Sequence, residues 1–369
     1  MARPDVLIVG GGVIGAACAH ELARRSLSVV VLDNGQDRGK ATRAAGGMLA
    51  PLMEVHPDDP MSSLSVRARD MYPDLADTLM ETTGIDIGLW MEGIFKLAYS
   101  EEDAFNLKNE IAWHRQQGFN SDWLDTEDLQ ERVPGVSPEA IGALIAQEDG
   151  LVNPLALESA LFQSAMERDA VVRRDAQVKG IVRQNHLVIG VDVAGELVQG
   201  GQVVIAAGCW SGRLDGLPRP ISVEPIRGQM AAFAWPANEP PAIVYGRSGY
   251  VLNRGQEAFV GSTMEHVGFD PGTDETALRT VFEAVRQIYP ALDTSRPRRT
   301  WSGLRPVTPD GRPLVGRDPD VHNLWYATGH GRNGILLAGL TGEIIGQLMT
   351  QTEVEYDLSS IDPARFWQF

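Results

Sequence analysis

The sequence predicts an α/β chain (α+β overall) in which a doubly wound parallel sheet is interleaved with a second sheet domain. Three observations predict it. The first forty residues run as apolar strand, glycine turn, helix, apolar strand. Helical stretches come early, helix and strand alternate in the middle, and strand-like runs crowd the third quarter. A chain of 369 residues has room for about two domains at roughly 100–200 residues each.

Val6-Leu7-Ile8-Val9 is wholly apolar, as a strand buried on both faces should be. It stops at Gly10-Gly11-Gly12-Val13-Ile14-Gly15, and Ala16 to Arg25 then has helical character. Val29-Val30-Val31-Leu32 follows and ends at Asp33. Each part has a task in holding a dinucleotide. Gly10 makes the tight turn, Gly12 lets the backbone approach a pyrophosphate, and Gly15 lets helix and strand pack closely. The helix N-terminus offers free N–H groups and partial positive charge to the phosphates. Asp33 can accept from a ribose diol and disfavours a 2′-phosphate. Next comes Lys40-Ala41-Thr42-Arg43-Ala44-Ala45-Gly46-Gly47-Met48-Leu49. So many small residues suggest a backbone laid against a flat cofactor, FAD rather than NAD; an ordinary glycine-rich loop is the alternative.

Further along, helices are expected at about 62–83, 101–118, 154–168 and 275–289, and from Gly334 to Met349. Strands are expected at Ile94–Ala98, Val178–Val182, Leu187–Val193, Val203–Ala206, Gln229–Phe233 and Ala258–Gly261. No internal repeat or low-complexity tract is visible.

Composition narrows the function. A formal net charge of −17 would repel nucleic acid. The two cysteines, Cys18 and Cys209, have no metal-ligand spacing and read as small buried hydrophobes. No run of about 18 apolar residues suggests membrane insertion, and the glycine triplet interrupts the first apolar run too early for a signal peptide. A cytoplasmic location is expected.

Other blocks stand out: Gly93-Ile94-Phe95-Lys96-Leu97-Ala98, Ala206-Ala207-Gly208-Cys209-Trp210-Ser211-Gly212, Gly303-Leu304-Arg305-Pro306 with Pro309-Asp310-Gly311, and Gly329-His330-Gly331-Arg332-Asn333-Gly334-Ile335-Leu336. With the N-terminal fingerprint and the Thr42–Leu49 segment, these resemble the D-amino acid oxidase superfamily of flavoproteins, most of all its glycine oxidase group. The likeness spans nearly the whole chain. It implies a discontinuous Rossmann-like FAD domain at 1–84, 148–218 and 301–369. It also implies a substrate domain on a mostly antiparallel sheet at 85–147 and 219–300. FAD contacts are implied at Gly10, Gly12, Val13, Ile14, Gly15, Asp33, Asn34, Thr42, Arg43, Gly46, Gly47, Met48, Val178, Gly208 and the run His330, Gly331, Arg332, Asn333, Gly334, Ile335. Two positions depart from the family: Asp33 stands where Glu is commoner, and Arg43 where a small hydroxyl residue is common. Neither cysteine lies where the superfamily's sarcosine oxidases attach their flavin, so FAD is expected to be non-covalent.

Oxidising an amino acid at a flavin calls for positioning more than for acid–base groups. A carboxylate clamp is therefore the feature to find. Arg305 is the candidate, since its fork can hold a carboxylate by two charge-assisted bonds; a surface arginine in a turn is the competing reading. The resemblance adds Tyr250 for the carboxylate, Tyr245 and Met264 as pocket walls, and Arg332 near flavin and substrate. His330 is expected to have a positional role. If the N-terminus of the Gly334–Met349 helix faces the flavin pyrimidine, its dipole would favour negative charge there. The implied reaction is oxidative deamination of glycine or a small relative (sarcosine, D-alanine, D-proline) with dioxygen reduced to hydrogen peroxide. It would supply iminoglycine for the thiazole of thiamine. A dehydrogenase passing electrons to a quinone or partner, and a non-catalytic FAD-containing subunit, are the alternatives. A homotetramer or dimer is implied.

Overall fold

A computed structural model describes residues 3–367. The run Val6–Val9 is a fully buried strand at the centre of a six-stranded sheet. The order is Leu314–Arg317, Leu324–Thr328, Gln202–Ile205, Val6–Val9, Val29–Leu32, Val171–Arg173. All neighbours are parallel except the first pair. Helix Val13–Arg24 crosses between the first two chain strands and packs on helices Pro154–Met166 and Ala338–Met349. Small residues permit the close approach: a Cβ on Gly342 would lie 2.6 Å from the carbonyl oxygen of Ala17. The opposite face of the sheet packs on a three-stranded antiparallel sheet, Val178–Gln184, Leu187–Val193 and Glu196–Gln199.

The second sheet has eight strands, ordered Arg299–Val307, Glu224–Ala234, Glu257–Gly261, Gly249–Arg254, Ile243–Gly246, Ile94–Ala98, Gly142–Ala146, Ser121–Asp125. It is antiparallel except where Ile243–Gly246 meets Ile94–Ala98. Helix Glu275–Ile288, capped by Asp274, covers one face with Leu278, Val281, Val285 and Ile288. Helix Glu101–Gln116 packs beside the other apolar layer. Ser100 caps it, three acids fill its first turn and His114 and Arg115 its last, as the helix dipole favours.

Three elements differ from expectation. The helix expected at 62–83 is two, Ser62–Asp70 and Tyr72–Thr83, broken at Met71 because Pro73 cannot donate within a continuous helix. The strand expected at Gln229–Phe233 is much longer, Glu224–Ala234. The last helix begins at Ala338 rather than Gly334; turns precede it, and Gly334 is a poor helix residue. Its dipole is thus set back by about one turn from the position assumed for it. The division expected at residue 300 falls inside strand Arg299–Val307, so Arg305 is carried by the eight-stranded sheet.

No helix among the described residues is long and apolar enough to cross a membrane.

Candidate active site

A cleft of about 650 Å³ lies between the two sheets. Its first end is made mainly of backbone. Gly10, Gly12, Val13 and Ile14 line it, while Gly15 sits behind them. Gly10 has φ +114°, and a Cβ there would come within 2.3 Å of the Ala206 carbonyl oxygen. A Cβ on Gly15 would lie 2.0 Å from the Gly10 oxygen. Gly12 is different: a Cβ would meet only Thr42 Oγ1, at 3.3 Å, and would otherwise enter the cleft. The helix that starts here has no side-chain cap of its own; the Val13 N–H donates to Thr42 Oγ1 at 3.1 Å.

Asp33 and Asn34 line the same end. Asp33 Oδ2 accepts from the Gly11 N–H at 2.8 Å. Its Oδ1 accepts from the Gly35 N–H and from Lys40 Nζ, at 2.8 and 2.7 Å. Burial pushes this carboxyl up, but Lys40 and the two amides more than offset that and hold it below the ordinary carboxylate value. Thr42, Gly46, Gly47, Met48, Val178 and Gly208 also line the cleft. Arg43 does not. It alternates with buried Thr42 and Ala44 on a one-turn helix, points outward and pairs with Asp37 at 3.1 Å.

His330, Gly331, Arg332, Asn333, Gly334 and Ile335 form the wall nearer the middle. His330 Nε2 is 3.0 Å from Thr341 Oγ1, and its buried Nδ1 has no partner among the described residues. Burial depresses its pKa to about 3, so the ring is neutral at working pH. Cys209 also lines the cleft, but burial raises its thiol to about 12 and leaves it inert.

The far end is made of side chains from the second sheet. Arg305 Nη1 donates to the Thr263 carbonyl at 3.1 Å and Nη2 to Ser262 Oγ at 2.6 Å. Gly228 on the neighbouring strand makes room, since a Cβ there would lie 2.1 Å from Arg305 Nη1. Tyr245 and Tyr250 face the cleft with ring centroids 5.6 Å apart. The Tyr245 hydroxyl donates to the weak thioether acceptor Met48 Sδ at 3.1 Å, and the Tyr250 hydroxyl lies 3.6 Å from Met230 Sδ and beside the Ser262 hydroxyl. Burial raises both phenols, so both stay protonated and can donate.

Met264 is corrected. It is 54% exposed and does not line the cleft. Thr263 and Glu265 bond inward to the sheet, and the extended backbone turns the side chain between them to the opposite face. Ser262, which sequence reasoning missed, takes the place at the wall. Glu54 was missed as well. It lines the cleft and pairs with Arg332 Nη2 at 2.8 Å. A lone acid within Met48-Leu49-Ala50-Pro51-Leu52-Met53-Glu54-Val55 was a signal for it. Its short helix is tied from behind: the Leu52 N–H donates to fully buried Asp149, which also pairs with Arg69 at 3.0 Å.

These features fit FAD. Gly12 leaves a cradle that a Cβ would enter, a helix N-terminus with no cap from its own N-cap residue faces it, and the His330 Nδ1 lacks a partner among the described residues. No group of His, Cys, Asp or Glu able to hold a metal occurs among the described residues.

A glycine-turn seat of the dinucleotide kind opening onto a half-buried arginine and two tyrosines suits one class, a nucleotide-dependent oxidoreductase. Comparison with known proteins makes the class specific. Residues 5–348 match the family described as FAD dependent oxidoreductase (DAO). The chain is 34% identical to the glycine oxidase of Geobacillus kaustophilus strain HTA426 over 98% of this chain and 97% of that one. It is 30% identical to the glycine oxidase of Bacillus subtilis strain 168 over 96% and 95%. A crystal structure of the Geobacillus enzyme superposes with a TM-score of 0.92, covering 98% of each chain. The chain belongs to the DAO family of FAD-dependent oxidoreductases, and FAD is its cofactor.

Proposed function

We propose that this chain oxidises glycine, or a small relative such as sarcosine, D-alanine or D-proline, to the imino acid. When bound, FAD accepts the two electrons lost by the substrate and passes them to dioxygen, giving hydrogen peroxide. The Gly10–Gly15 turn, Asp33 and the His330–Ile335 wall would hold the cofactor; Thr42, Gly46–Met48, Val178 and Gly208 would complete the seat. The resemblance implies a non-covalent cofactor, so acid precipitation should leave a colourless pellet and a yellow supernatant.

The remaining residues bind and orient. The observation that carries the reading is Arg305: a half-buried guanidinium on the cleft wall with two nitrogens anchored by protein. A carboxylate there would gain charge-assisted bonds in a site of low polarity. Tyr250 and Tyr245, both protonated and facing the cleft, would donate to the same carboxylate or wall it in. Arg332 stands at the mouth, partly neutralised by Glu54. Such anchoring fixes the α-carbon and excludes water, and orientation of this kind can account for much of a rate enhancement. The neutral ring of His330 suits a positional role.

The glycine oxidase relatives support this substrate class, and the bifunctional protein ThiO/ThiG of Trichormus variabilis, 32% identical, is matched over 98% of this chain but only 55% of that protein. A role in supplying iminoglycine for thiamine thiazole synthesis goes with the reading. The test is a peroxide assay of purified holoenzyme with glycine, sarcosine, D-alanine and D-proline. Peroxide with at least one of them supports the oxidase. Anaerobic bleaching that air does not reverse would point to a dehydrogenase, and no bleaching would sink the proposal.

A further inference from the structure

The Arg305 guanidinium is held by the segment Ser262–Thr263, so what holds that segment sets the clamp. This segment follows strand Glu257–Gly261 and makes one isolated bridge to the sheet, between Arg227 and Glu265. The bridge bonds are Arg227 N–H to Glu265 O at 2.9 Å and Glu265 N–H to Arg227 O at 3.0 Å.

The side chain of Glu265 gathers the rest. Its Oε1 accepts from Thr263 Oγ1 at 2.5 Å and from Gln229 Nε2 at 2.7 Å. Its Oε2 accepts from Arg227 Nη2 at 2.6 Å. The Gln229 N–H closes the ring by donating to Thr263 Oγ1 at 2.9 Å. Gln229 is fully buried and Arg227 nearly so. Arg227 Nη1 bonds Asp270 at 2.9 Å, but Asp270 is 60% exposed and contributes little. Gln229 Oε1 accepts from the Asp274 N–H at 2.7 Å, which ties the start of helix Glu275–Ile288 to the same point. Neither Glu265, Arg227 nor Gln229 lines the cleft, so none of them can touch a substrate.

We infer that Glu265 is a positioning residue for the carboxylate clamp, fixing through Thr263 the carbonyl and hydroxyl that orient Arg305. The inference rests on Arg305 being the clamp. A long flexible guanidinium loses affinity for a carboxylate if its own anchors wander, because rotamer freedom must then be given up on binding. An ionised acceptor shared by Thr263, Gln229 and Arg227 holds those anchors before the ligand arrives. Charge-assisted bonds of this kind are the strong ones.

The test uses holoenzyme carrying Glu265→Ala, Glu265→Gln or Arg227→Met, each in wild-type and Arg305→Lys backgrounds. The readouts are kcat and KM for glycine and the Kd of methoxyacetate, an unreactive carboxylate. In the wild-type background Glu265→Ala is expected to raise KM and Kd about tenfold, the scale of one charged hydrogen bond, while kcat changes little. Glu265→Gln keeps an acceptor for Thr263 and should recover part of the loss; Arg227→Met should reproduce a smaller part of it. In the Arg305→Lys background the same changes should barely move kcat/KM, because the oriented group is gone. Equal losses in both backgrounds, or a fall in kcat at unchanged KM, would overturn the inference. If Glu265→Ala does not fold, the Gln and Met variants decide on the same criteria. Wild-type enzyme that binds neither glycine nor methoxyacetate overturns the clamp reading and this inference together. Wild-type binding left unchanged by all three variants overturns the inference alone.

Discussion

The two ends of the cleft are built by different means. The end at Gly10–Gly15 works through main chain: a turn, a helix N-terminus and amides, with Asp33 locked in place by Gly11, Gly35 and Lys40. The end at Arg305 works through side chains drawn from four places in sequence, near residues 54, 245–250, 262 and 305. A backbone site is contiguous and rigid because its strand and helix are. A side-chain site is adjustable, and each member depends on neighbours elsewhere in the chain. Damage should therefore be all-or-none at the first end and graded at the second.

The sharpest break is Gly15→Ala or Gly10→Ala. Each adds a methyl group where a carbonyl oxygen already stands, at 2.0 or 2.3 Å, and Gly10 also needs a positive φ. We expect little folded protein, and what folds should be colourless; yellow holoenzyme of normal absorbance would contradict an all-or-none site. Next is Arg305→Leu. Removing one partner of a buried ion contact costs about 2–5 kcal/mol, roughly thirtyfold to several-thousandfold in kcat/KM. Steady-state kinetics should place the loss mainly in KM, with the flavin spectrum intact.

Glu54→Gln should act more gently. It leaves Arg332 without its countercharge at the cleft mouth, but Arg332 is 49% exposed and screened. For such a pair the effect is about 0.2–1 kcal/mol, so KM for an anionic substrate should fall only a few-fold. That fall should vanish at high salt.

The smallest effect lies outside the cleft and serves as a control. Burial pushes Asp310 up, yet Arg365, Arg312 and a backbone amide hold it down to about 2. A depressed carboxyl stabilises the fold above its unfolded pKa of about 4, and that contribution disappears as pH falls towards 2. Asp310→Asn should thus lower the Tm slightly at pH 7 and make no difference near pH 2. Glycine kinetics should not change.

The same contrast governs what the sequence made legible. The strand, turn, helix and acid of the first end lie within residues 6–33, and each could be read locally. Strands such as Ile94–Ala98 and Leu187–Val193 were equally plain from their apolar patterns. Arg305 and Tyr250 could be named only through a resemblance, because nothing near them in sequence says they face one pocket. Met264 was misplaced for the same reason: its side is decided by Thr263 and Glu265 bonding to residues 227–229, more than thirty positions away. Ser262 carried no signal at all. Arg43 was assigned to the cofactor by position, but alternation with Thr42 and Ala44 turns it outward.

The order of strands in the parallel sheet has a consequence for folding. Its first strand pairs with Gln202–Ile205, and that one pairs with Leu324–Thr328. The glycine turn and its wall at residues 330–335 are thus brought together from positions more than three hundred residues apart. The complete seat is expected to form only once residues 330–335 have joined the fold.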